Sequence, residues 1–160
     1  MSKSRPGVVL DAMVFLQALV NEAGPAARLL DLVEDKKITL FVSQDTLNEA
    51  RDLLSRSELR RRFPNLTDVR VEALFRRLSR MASLIHPVPR IFEYPRDPQD
   101  EPYINLAVEA RADYLASRDR DLLDLMIGHS NDCKEFRRRF RPLKVVDPAA
   151  LLQLLAKKNL

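Results

Sequence analysis

The sequence predicts a three-layer α/β/α sandwich around a central, mainly parallel sheet, and three features predict it. Short apolar runs rich in β-branched residues alternate with longer stretches of helical periodicity, the pattern of parallel strands joined by crossover helices. The first run, Gly7-Val8-Val9-Leu10, carries no polar alternation, as expected of a strand covered on both faces. The chain has 160 residues, 46% hydrophobic and 31% charged, which fits one domain over residues 1–160 with one core.

Taken in order, the first strand stops at Asp11, and Val14, Phe15, Ala18 and Leu19 then recur at helical spacing. Residues 21–24 with Pro25 supply a stop and a restart, and the next helix puts Ala26, Leu29, Leu30 and Val33 on one stripe. A polar connector, residues 34–37, leads to a strand over 38–42. Ser43 is placed to cap the following helix through Leu47, Ala50 and Leu54, with Asp45 favourable in its first turn. Residues 57–63 read as a short helix closed by Pro64. Thr67-Asp68 then opens a long amphipathic helix with Val71, Leu74, Phe75, Leu78 and Met81 facing inward.

A third strand is expected over 84–88, followed by a proline-rich surface loop to Pro102. Ile104, Ala107, Val108 and Ala110 mark a helix, residues 113–117 a strand, and Leu122, Leu123 and Leu125 a short helix. Residues 143–146 form the last strand, and Pro148 opens a C-terminal helix running to Lys158.

Composition narrows the chemistry. No run approaches the roughly 18 consecutive apolar residues that span a bilayer. The opening Met1-Ser2-Lys3-Ser4-Arg5-Pro6 leads into a strand rather than a signal-peptide core, so a cytoplasmic protein with no membrane contact is expected. With one cysteine, Cys133, and two histidines, His86 and His129, neither an internal disulfide nor a nitrogen and sulfur zinc site can be completed. Any metal must be held by oxygen. The net charge of +4 favours a polyanionic partner. Arginines cluster at Arg60, Arg61 and Arg62, at Arg76, Arg77 and Arg80, and at Arg137, Arg138, Arg139 and Arg141. Such runs form solvated helix faces in many proteins; here the first and last are expected to flank a nucleic-acid cleft.

Acidic residues collect at the predicted strand ends, where open α/β sheets bind ligands. Asp11 follows the first strand, Glu49 lies two turns into the helix after the second, Asp97, Asp100 and Glu101 sit before the helix leading to the fourth, and Asp119 follows that strand. Singly, Asp100 and Asp119 could be helix caps and Glu49 a surface residue. Asp11 is different, because it lies between Val8-Val9-Leu10 and Met13-Val14-Phe15 and needs a counter-charge there. Crowded carboxylates repel, and a divalent cation removes the conflict. Mg2+ or Mn2+ suits an all-oxygen site and serves phosphodiester hydrolysis, by lowering the pKa of water and neutralising charge in the in-line transition state.

Four segments together resemble the PIN-domain nucleases, and within them the bacterial toxin components of toxin-antitoxin systems. They are Val8-Val9-Leu10-Asp11, Val42-Ser43-Gln44 leading to Glu49, Arg96-Asp97-Pro98-Gln99-Asp100-Glu101, and the stretch from Ala112 through Ser117-Arg118-Asp119-Arg120-Asp121 to Leu123. The resemblance spans nearly the whole chain. It implies acidic metal ligands at Asp11, Glu49, Asp100 and Asp119, with Asp97, Glu101 and Asp121 supporting or alternative. Glu101 competes for the third place, because many members put an acid three residues before the apolar position matched by Ile104. Ser117 matches a small hydroxyl position beside the metal. The resemblance further implies single-stranded RNA as substrate, a homodimer, and inhibition by a small antitoxin protein; Ser117, Arg60, Arg61, Arg62, Arg118 and Arg138 are expected to contact the RNA. The helix through Leu74 and Leu78 offers one surface for such a dimer. The family commonly has Thr or Ser and then Asn after its first aspartate; this chain has Ala12 and Met13, which removes groups that would orient Asp11.

Two other families with an aspartate after the first strand fit less well. A haloacid-dehalogenase-like phosphatase needs a second aspartate where Met13 stands, and a receiver-type phosphoacceptor needs a lysine where Asp147-Pro148 stands. The competing class is a PIN fold without catalysis, serving as an RNA-binding or protein-binding module, and Ala12 and Met13 favour it.

Overall fold

In the computed structural model, which describes residues 5–158, five strands form one sheet: β1 (Gly7–Leu10), β2 (Thr39–Val42), β3 (Ser83–Leu84), β4 (Tyr114–Ala116) and β5 (Lys144–Val146). Their order is β3-β2-β1-β4-β5 and every pairing is parallel. Parallel neighbours need crossovers, which the helices supply: α1 (Ala12–Val20) and α2 (Pro25–Glu34), then α3 (Gln44–Leu54), α4 (Ser57–Arg62) and α5 (Asp68–Met81), then α6 (Glu101–Glu109), α7 (Arg120–Leu123), α8 (Asn131–Arg139) and α9 (Pro148–Lys157). Every residue of β1 is buried, as a strand with helices on both faces must be. Residues Met1–Ser4, on which the expectation of no signal peptide rests, and residues 159–160 lie outside those described.

Caps read from the sequence hold in the structure. Ser43 Oγ accepts from the Thr46 N–H at 3.1 Å, and Thr67 Oγ1 from the Arg70 N–H at 3.3 Å. Pro148 occupies the first helical position of α9 behind Asp147, whose Oδ1 accepts from the Ala150 N–H at 2.7 Å. No helix among the described residues is long and apolar enough to cross a membrane.

Three expectations are corrected. The third strand is β3, two exposed residues rather than 84–88, because Pro87 and Pro89 carry no N–H to extend the ladder; its last rung joins the Ile85 N–H to the Val42 carbonyl at 2.8 Å. Helix α8 falls in a stretch where no element was expected. Ser130 caps it, and its buried Cys133 and Phe136 continue to Phe140 at helical spacing, hidden in sequence among arginines. Leu74 and Leu78 are buried in the core, so the dimer surface expected through them is closed in the single chain.

The topology places the site. From β1 the chain steps outward to β2 and β3, whereas from β4 it steps the other way to β5. The strand order therefore reverses between β1 and β4, and a crevice opens at their carboxyl ends. Asp11 and Ser117 are the residues found there.

Candidate metal centre

Asp11 is buried at the end of β1, and its N–H donates to the Ala116 carbonyl at 3.2 Å, so the ends of β1 and β4 are joined through the backbone. One carboxylate oxygen caps α1, accepting from the Val14 N–H at 3.1 Å; the other accepts from the Ser117 hydroxyl. Among the described residues no Lys or Arg pairs with Asp11, so no side chain supplies its counter-charge. Hydrogen bonds at a helix N-terminus take that place. They do not fully compensate: burial pushes the Asp11 carboxyl up to about 6 against the lowering by Ser117 and Val14, and the Asp119 charge adds to the rise.

Ser117 is fully buried and serves two segments at once, since its Oγ also accepts from the Asp119 N–H at 2.9 Å. Asp119 Oδ1 caps α7 through the Asp121 N–H at 2.8 Å, so the capping reading is right for one of its oxygens. Asp100 behaves differently. It stands at the end of a 3-10 turn (Pro98–Asp100), makes no capping bond to α6, and is 7% exposed with Oδ2 lacking any hydrogen-bond partner. Burial, then the Asp119, Asp97 and Asp11 carboxylates around it, push its carboxyl up to about 8. Asp97 caps the turn instead, accepting from the Gln99 N–H at 3.2 Å.

The result is a quartet. Asp97, Asp100, Asp119 and Asp121 each bring one carboxylate oxygen to within 4.8 Å of the others. Asp11 and Glu49 stand outside this group yet feel it: the Asp11 charge acts on Asp100, and the Asp97 charge on Glu49. Glu49 is half-buried rather than a surface residue, and burial raises its carboxyl. The Tyr103 hydroxyl and Arg56 offset part of this, although that hydroxyl makes no full hydrogen bond. Glu101 is tied to Arg90, Oε1 to Nε at 2.9 Å, away from the quartet. Asp121 shares an oxygen with Arg96 Nε at 2.6 Å.

The loop that delivers Asp97 and Asp100 is held by residues the sequence reading passed over. Asn105, buried in α6, accepts from the Ile91 and Phe92 N–H groups at 2.9 and 2.7 Å and donates to the Phe92 carbonyl at 3.1 Å. Tyr94 donates to the Asp121 carbonyl at 2.7 Å, and Arg96 spans Asp121 and Asp124. An amide within the apolar stripe of α6, and aromatics at alternate positions 92 and 94, were the signals available.

The arginines divide. Arg60 is occupied by the Leu54 carbonyl at 2.7 Å and Asp68 at 2.6 Å, and Arg137 by the Leu125 and Gly128 carbonyls. Arg61 and Arg62 are exposed, as is Arg138, which lies 3.6 Å from Glu135. Arg118 is exposed and lines a cleft of about 440 Å³ with Gln17, Leu123 and Pro148, to which none of the quartet contributes.

This donor set fits a hard divalent cation. All ligands are oxygen, the carboxylates are held close enough to share an ion, and Asp100 Oδ2 is a buried anion-forming atom without a proton donor or cation. A family model for the PIN domain matches residues 7–121, a span that takes in Asp11, Glu49 and the whole quartet. An uncharacterized protein of Methanocaldococcus jannaschii is 31% identical over 125 residues, which cover 78% of this chain and 78% of that protein.

Proposed function

The chain belongs to the PIN-domain family, and from this we propose that it is a Mg2+- or Mn2+-dependent endoribonuclease acting on single-stranded RNA. PIN domains are generally nucleases; the choice of RNA and of metal is our reading. The observation that carries it is Asp100, whose unpartnered oxygen sits in a quartet of carboxylates that a divalent cation would relieve.

When bound, the cation would supply charge neutralisation at the phosphodiester and water of lowered pKa. The chain's own residues would do the rest. Asp100 and Asp119, with Asp97 and Asp121 beside them, hold the ion. Asp11, oriented by Ser117 and the Val14 N–H, closes the centre from the β1 side, and Glu49 closes it from α3. Glu101 is the weaker candidate for the third ligand, because Arg90 already neutralises it. Arg118, between Ser117 and Asp119, with exposed Arg61, Arg62 and Arg138, would hold the RNA backbone, and binding would then fall steeply with salt.

In the cell this activity fits a cytoplasmic toxin restrained by a small antitoxin protein and acting as a homodimer. Co-purified small protein and light scattering test those two points. A second reading, a PIN fold that binds without cutting, is favoured by Met13, which is 42% exposed at the head of α1. Incubating mixed RNA with and without Mn2+ separates the two: cleavage that needs the metal and disappears in Asp100→Asn and Asp11→Asn is expected. Binding without cleavage by wild type would replace the nuclease reading with the second.

A further inference from the structure

Among the described residues, two buried side-chain polar atoms have no hydrogen-bond partner, Asp100 Oδ2 and the Tyr103 hydroxyl. The first belongs to the quartet. The second is unexplained by packing, since Tyr103 is 2% exposed within the core of α6, where a phenylalanine would fill the same space without burying an unpaired hydroxyl.

The surroundings of that hydroxyl are specific. It faces the Glu49 carboxylate of α3, the Asp11 carboxylate, and the backbone of Ala12 at the first position of α1, whose N–H has no partner within its own helix. Helix α6 packs on both β1, which leads into Asp11, and α3, which carries Glu49. A phenol in this position can donate to one neighbour and accept from the other.

We propose that Tyr103 is a positioning residue of the metal centre, its hydroxyl donating to the Glu49 carboxylate and accepting from the Ala12 N–H once a divalent cation is held. Fixing one Glu49 oxygen in this way aims the other at the ion, as groups behind metal ligands do elsewhere. The inference rests on the metal-dependent reading above.

The test is Mn2+ titration of the full chain by calorimetry, comparing wild type, Tyr103→Phe, Glu49→Ala and the double variant. Tyr103→Phe keeps the ring, so the metal-free protein is expected to melt at or slightly above the wild-type temperature while its Mn2+ affinity falls about 10-fold or more. In the Glu49→Ala background the same change is expected to cost no further affinity, because its acceptor is gone. Wild-type affinity in Tyr103→Phe overturns the proposal, as does an equal loss in both backgrounds, and either leaves the metal reading standing. A wild type that takes up no Mn2+ overturns both.

Discussion

Replacing Asp100 with asparagine is expected to stabilise the metal-free protein at pH 8 while removing its affinity for divalent cations. The carboxyl is lifted from 3.8 to about 8 by burial and by the acids beside it. Between those values the folded chain keeps a proton that the unfolded chain has lost. The associated stability is therefore fully present below about pH 4 and is lost as pH rises through about 8. At about 1.4 kcal/mol for each tenfold change in proton affinity, the upper bound is about 6 kcal/mol. Water reaches the crevice and screens the repulsion, which reduces the expected effect to about 2–3 kcal/mol. For a chain of this length that corresponds to about 5–10 °C in melting temperature. The assay is thermal unfolding of both proteins in chelator across pH 5 to 8, so that their difference isolates residue 100. The variant's advantage should be small at pH 5 and grow toward pH 8. Adding Mn2+ at about 100 times its Kd should return about 2.7 kcal/mol to the wild type alone. An advantage that is absent at pH 8, or that shrinks as pH rises, would refute the reasoning.

Three further outcomes are expected. Ser117→Ala removes the hydroxyl that bonds Asp11 and receives the Asp119 N–H, and should lower Mn2+ affinity about 10-fold in the same titration; unchanged affinity would remove Ser117 from the centre. Asn105→Ala leaves two N–H groups and a carbonyl unpaired and should destabilise the chain by about 2–3 kcal/mol. Limited proteolysis should then cut first between residues 87 and 100, and an unchanged digestion pattern would count against the clamp. Lys36 follows α2 with φ of 61°, a left-handed conformation that disfavours a side chain, so Lys36→Gly should raise the urea midpoint by an amount equivalent to about 0.5–1 kcal/mol; a lowered midpoint would contradict it.

Much of the architecture was legible because burial dictates it. Gly7-Val8-Val9-Leu10 and Tyr114-Leu115-Ala116 could be recognised as strands because sequences without polar alternation must be covered on both faces. Helix α8 was hidden because three successive arginines and a lysine dilute its apolar stripe to Cys133, Phe136 and Phe140. At the site, strand ends located Asp11 and Asp119, since a change from apolar run to acid is visible in a single sequence. The choice between Asp100 and Glu101 was not visible, because adjacent residues differ only in which way a turn points them, and Arg90, which occupies Glu101, is eleven residues away. Tyr103 and Asn105 lay within a stripe that periodicity assigns to the core, where a polar atom at the end of a side chain leaves no mark on the pattern.

The rung between the Asp11 N–H and the Ala116 carbonyl gives the centre one fixed jaw. Neighbouring parallel strands stand about 4.8 Å apart whatever side chains they carry, so Asp11 and the segment 117–119 keep their interval through any substitution that preserves the ladder. The opposite jaw, with Asp97 and Asp100, is mounted on side-chain bonds from Asn105, Tyr94 and Arg96, and these can be altered one at a time. Divergence between relatives can thus readjust the grip on an ion through residues 87–105 while the interval set by the sheet, and the fold that sets it, stay as they are.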